Sequence, residues 1–149
     1  MNQNFDLKQS VKGDRLIRYV LLANGFSTGA FGLLMIFFSH FVATLTGLES
    51  SSALVGTGLF LVIFVAFVFW TVKMNFIPPL NVLIFSLIDF LWAVGSILLI
   101  SKDGNSVTMT YLGVWAVGLV ALVVGVFAVF EFYYWWINRF LKMPRDVVN

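Results

Sequence analysis

Four long apolar stretches separated by short polar segments dominate the chain, at residues 16–38, 52–72, 79–100 and 107–136. Each reaches the roughly 20 residues that a helix needs to cross about 30 Å of hydrocarbon at about 1.5 Å per residue. None shows the period-2 alternation of a membrane barrel strand, so helices are predicted. The expected architecture is all-α: a single domain, 1–149, of four transmembrane helices in an up-down bundle. The fourth stretch is long for one crossing, and its surplus at 130–136 predicts tilt or extension past the headgroups.

The polar segments read as stops. Glu49 and Ser50 to Ser52 offer an acid and several N-caps to the second span, and Pro78-Pro79 suits the first turn of the third. Residues 102–106 form a predicted polar turn, with Ser106 or Thr108 as cap of the fourth helix.

Basic residues set the expected orientation. Eight Lys and Arg flank the ends shared by both termini (Lys8, Lys12, Arg15, Arg18, Lys73, Arg139, Lys142, Arg145), against Lys102 alone on the other side. The positive-inside rule then predicts both termini in the cytoplasm. Trp70 and the run Tyr133 to Trp136 mark the same interface; Tyr111 and Trp115 mark the opposite one. The first apolar run is too long for a cleaved signal, so it is expected to remain as a span.

Composition agrees and narrows the chemistry. At 60% hydrophobic, 11% charged and a mean hydropathy of +0.97, the 149 residues are too apolar for a soluble domain. The lipid bilayer is the expected partner, and a net charge of +2 gives no argument for nucleic acid. The absence of Cys excludes disulfides and thiolate ligands. A single His cannot hold a metal or a haem pair, and no nucleotide loop, HExxH or GxSxG pattern occurs, so neither metal nor cofactor is expected. A non-enzymatic role is therefore preferred, with a lipid-processing enzyme as the weakest alternative.

Polar residues inside the spans are the candidate site. An acid at the bilayer centre costs roughly 2.5–3.5 kcal/mol and normally faces protein or water. Asp89 is such an acid. Ser86, Asp89 and Ser96 share one stripe of the third helix with Trp92 at its border, and Asn24, Ser27 and Thr28 form a second stripe on the first. The two helices are expected to meet across the core, with Asn24, Ser27 or Thr28 donating to Asp89. With no basic residue at its depth, a neutral, hydrogen-bonded Asp89 is expected. It serves either as packing glue or as a proton, cation or ligand site.

Glu131 is expected at the interface, paired with Arg139 or Lys73, or alternatively as the end of a polar path that includes Asp89. His40 and Glu49 are assigned to an outer loop, where His40 is a solvated side chain or a proton gateway. Small residues at Gly118, Ala121, Gly125 and Ala128, and at Gly56 and Thr57, are packing positions; Gly118, Ala121 and Gly125 also offer a homo-oligomer contact.

Two short motifs, Ala23-Asn24-Gly25-Phe26-Ser27 with Gly29 and Gly32, and the segment 89–96, carry a resemblance. The chain resembles a group of short, uncharacterised four-span bacterial membrane proteins. That resemblance implies a bacterial inner-membrane setting and no particular activity. Small multidrug exporters also have four spans and one membrane acid, but theirs lies in the first helix, and dual-topology members lack such a charge bias. The leading functional expectation is a small-ligand-binding or accessory membrane protein centred on Asp89, binding a small molecule or lipid. The alternative is a proton- or cation-coupled small transporter.

Overall fold

A computed structural model describes residues 3–48, 50–101 and 109–139, with side chains from residue 15 onward. Among the described residues there are five helices: α1 (Gln3–Phe37), α2 (Ser39–Thr46), α3 (Ser51–Lys73), α4 (Pro79–Ser101) and α5 (Tyr111–Asn138). Four segments are long and apolar enough to cross a membrane: Arg15–Phe37 within α1, and the whole of α3, α4 and α5. The all-α bundle of four membrane-spanning helices predicted from the hydrophobic pattern is the observed architecture. One end carries Arg15, Arg18, Lys73 and Arg139 and is called here the basic end; the other carries α2.

Two local expectations change. The segment after the first span is not a loop. Phe38 interrupts the helix, with φ −121° and ψ 28°, and α2 follows until Gly47 takes a left-handed φ of 78° and donates its N–H to Ala43 O. Gly47 is the residue able to adopt that conformation without a Cβ clash. His40 therefore sits exposed on a helix, its carbonyl accepting from Thr44 Oγ1. The fourth spanning helix begins at Tyr111, and its cap is Thr110, whose side chain accepts from Gly113 N at 3.0 Å. Ser106 and Thr108 lie outside the described residues, as does Glu49. Among the serines before α3, Ser50 is the cap, accepting from Ala53 N at 3.2 Å.

The helices pair as two hairpins. α1 lies along α3, α4 lies along α5, and α1 also touches α5. Near the basic end the space between them is filled by Ile17, Leu21, Val68, Val82 and Phe85. Phe85 meets Phe64 and Phe67 edge-on, with centroids 5.6 and 5.1 Å apart. Arg18 does more than orient the chain. Its guanidinium donates to Val72 O, to Met74 O at 2.6 Å and to Asn75 O at 2.9 Å, satisfying carbonyls that the end of α3 leaves open. At the opposite end Thr110 ties α5 to α2, donating its N–H to Thr46 O at 2.9 Å and its hydroxyl to Leu45 O at 2.5 Å.

Lipid supplies no hydrophobic drive between helices, so close backbone approach matters. α1 and α3 cross at Gly32 and Gly58. A Cβ on Gly58 would lie 2.6 Å from Gly32 O and 2.8 Å from an Ile36 carbon, whereas one on Gly56 would meet nothing within 4 Å. The packing glycine of the second span is thus Gly58, not Gly56. Gly58→Val is expected to cost about 1–3 kcal/mol, while Gly56→Val changes stability by less than about 0.5 kcal/mol. Thermal unfolding in detergent measures both; equal losses would show that the crossing is not close-packed.

Candidate functional site

The polar stripes converge on one amide. Asn24, on α1, is fully buried at 0% exposure, as is Glu131 on α5, and Asp89 on α4 is 3% exposed. Asn24 Nδ2 donates to Asp89 Oδ2 at 2.5 Å and to Glu131 Oε1 at 3.0 Å, while Asn24 Oδ1 accepts from Thr28 Oγ1 at 2.9 Å. Both amide hydrogens and the amide oxygen are therefore engaged. Three helices are joined through one side chain. Asp89 stands ten residues beyond Pro79, which at the helical rise puts it about 15 Å from the start of α4, near the middle of a hydrocarbon layer about 30 Å thick.

The centre is not fully satisfied. Glu131 Oε2 is buried without a hydrogen-bond partner among the described residues. Among the described residues, no group of three or more metal-ligating side chains gathers, and the two carboxyls are held by the amide.

Beyond Asp89, toward α2, the bundle is hollow. A cavity of about 300 Å³ is lined by all five helices, with Thr28 and Asp89 among its walls. Phe31, Leu45, Phe60, Trp92 and Val120 represent its mostly apolar lining, to which Thr46, Thr57 and Ser96 add hydroxyls. A pocket that is mostly apolar with a few convergent polar groups is the usual form of a small-molecule site.

Not every expected residue enters this centre. Asn24 is the donor to Asp89, as one of the three candidates. Ser27 instead donates to the Asn24 carbonyl at 3.0 Å, and Thr28 reaches Asp89 only through the amide. A hydroxyl bonded to its own helix needs no second partner, which is why the shared stripe did not make Ser27 a ligand of Asp89. Ser86 donates to Ala128 O at 2.8 Å and joins α4 to α5. Trp92 and Ser96 line the cavity.

The interfacial assignment of Glu131 is overturned by its complete burial and its bond to Asn24; Arg139 lies over the Trp136 ring, 3.6 Å from the centroid. Helical spacing contained the signal. Gly118, Ala121, Gly125, Ala128 and Glu131 recur every three or four residues, and this stripe faces α4: a Cβ on Gly125 would lie 3.9 Å from the Ala93 Cβ. His40, on α2, is exposed and apart from the polar centre.

No protein family, curated protein or solved structure matches this chain.

The geometry makes Asn24 the keystone of stability. Asn24→Leu is expected to cost about 1–3 kcal/mol for each carboxyl left without its donor. Combining it with Asp89→Leu and Glu131→Met should restore most of the loss, because apolar replacement of all partners leaves nothing unsatisfied. Unfolding midpoints of the single and triple variants test this; equal destabilisation in both would show that the network is not the source of the cost.

Proposed function

We propose that this integral membrane protein binds a small, largely apolar molecule in the cavity, with Asp89 receiving the polar group of that molecule. The observation carrying this reading is the position of Asp89: one oxygen, Oδ2, is fixed by Asn24, and the residue also forms part of the cavity wall. Oδ1 takes no hydrogen bond from the described residues and is the oxygen available to a ligand. Phe31, Phe60, Phe64 and Trp92 give the lining broad apolar faces. The excess of basic residues at one end supports an arrangement with both termini in the cytoplasm, in which the cavity occupies the outer half of the membrane.

Bromododecanol is a suitable probe because its hydroxyl can bond Asp89 and its bromine quenches tryptophan. In phosphatidylcholine vesicles the protein is expected to be quenched more by bromododecanol than by bromododecane at equal membrane content, and Trp92→Phe should remove that excess. Asp89→Asn, which still hydrogen-bonds, should keep the affinity within a few-fold, whereas Asp89→Leu should weaken it about tenfold or more. Equal quenching by alcohol and alkane would refute the assignment.

A second reading, a proton- or cation-coupled small transporter, draws on a different observation: two carboxyls from adjacent helices share one amide, and Glu131 Oε2 is left unpartnered. It requires pH-driven flux in proteoliposomes that Asp89→Asn abolishes. Flux unchanged by that substitution excludes this use of Asp89.

A further inference from the structure

The cavity has a roof and a thin side wall. α2 lies across the end of the bundle, packed on α3, α5 and α1, and contributes Val42, Leu45 and Thr46 to the lining. This covers the axial route to water. Between α3 and α4 the arrangement differs. These helices are consecutive, joined through residues 74–78, yet they share no extended backbone packing. Their described links lie toward the basic end, where Phe64 and Phe67 meet Phe85 and where Asn81 Nδ2 donates to Thr71 Oγ1 at 3.3 Å.

Toward α2 the same interhelical face carries an open groove of about 420 Å³, lined by Phe60 of α3 and by Leu91, Trp92, Gly95 and Leu99 among residues of α4. Phe60, Ile88, Trp92, Ser96 and Leu99 belong to the groove and to the cavity alike, so the two spaces adjoin along these side chains. The groove lies along helices apolar enough to cross a membrane, at a level where the surrounding medium is acyl chains rather than water.

Resting on the binding reading above, we infer that the ligand is a single aliphatic chain with a hydrogen-bonding terminus, dissolved in the bilayer, and that it reaches Asp89 sideways between α3 and α4, past Phe60 and Trp92. Trp92 stands three residues from Asp89, less than one helical turn, so a chain passing it needs little further travel to bring its terminus to the carboxyl. A cavity of about 300 Å³ is at the small end of ligand sites and suits one chain rather than a two-chain lipid.

Gly95 offers a test that leaves the cavity itself untouched. It lines the groove but not the cavity, and a Cβ there would meet nothing within 4 Å, so Gly95→Phe obstructs the opening without displacing packed neighbours. Gly56, whose Cβ would be equally unopposed and which lines neither space, provides the matched control Gly56→Phe. Vesicles containing full-length protein are mixed with vesicles loaded with bromododecanol, and the time course and final extent of the Trp92-dependent quenching are followed, then reversed by mixing with empty vesicles.

The lateral route predicts that Gly95→Phe slows both the rise and the release by about tenfold or more with little change in final extent, and that Gly56→Phe matches the unmodified protein. Phe60→Ala, which widens the opening, should accelerate both phases. Unchanged rates in Gly95→Phe and Phe60→Ala, with normal quenching at equilibrium, would overturn the lateral route while leaving the binding site in place. Absence of Trp92-dependent quenching in the unmodified protein would overturn the binding reading itself.

Discussion

The bundle depends on one side-chain amide that donates to two acids from two other helices. In water such bonds exchange with solvent and contribute little, but in hydrocarbon an unpaired carboxyl has nowhere else to turn. Asn24 reaches Asp89 and Glu131 at 2.5 and 3.0 Å, and Thr28 holds the amide oxygen in place behind it. This link crosses between the α1–α3 hairpin and the α4–α5 hairpin, which also meet through α1 and α5, through aromatic side chains, through the Asn81–Thr71 hydrogen bond and through the α2 contacts. Remove the amide and two burial costs appear at once. Its presence lets a membrane protein keep an acid beside a cavity.

The two halves of the bundle are built differently. Near the basic end, aliphatic and aromatic side chains fill the interior, and Arg18 closes the carbonyls after α3. Toward α2 the same helices surround space. Order is thus concentrated where nothing needs to bind, and room is left where something can. The polar centre lies at the boundary, so its geometry is set by the packed half and presented to the hollow one. Positioning a site on rigid elements in this way limits how much a ligand must rearrange to be accommodated.

Hydrophobic length and helical spacing made much of this legible. The four spans follow from uninterrupted apolar runs, and the meeting of the first and third spans follows from two polar stripes whose faces have no favourable lipid-exposed position, although the stripe leaves Asn24, Ser27 and Thr28 as equal candidates for the donor to Asp89. The interfacial expectation for Glu131 rests on its neighbours, Tyr133 to Trp136, but depth along a helix is not fixed by flanking aromatics; the alternative of a polar path that includes Asp89 is the one to which the small-residue stripe leads. The short helix α2 was hidden because its eight residues are too few to show a decisive period. The cavity could not be seen at all. It arises from what opposing side chains fail to fill, a property of pairs of helices rather than of any one segment. Likewise Gly56 and Gly58 look alike in sequence, and only the crossing of α1 over α3 separates them.

The Thr28 to Asn24 bond carries a consequence for biogenesis. Translation proceeds from the N-terminus, so Asn24 emerges and meets the membrane well before Asp89 and Glu131 have been synthesised. During that interval its amide oxygen can already be satisfied, because Thr28 lies one turn along the same helix and needs no other segment. The nascent α1 thereby carries its polar cargo half-neutralised, with only the two amide hydrogens awaiting the later hairpin. Assembly of this centre is then directional: the first hairpin brings the amide donor, the second brings the two carboxyl acceptors, and their meeting engages both amide hydrogens.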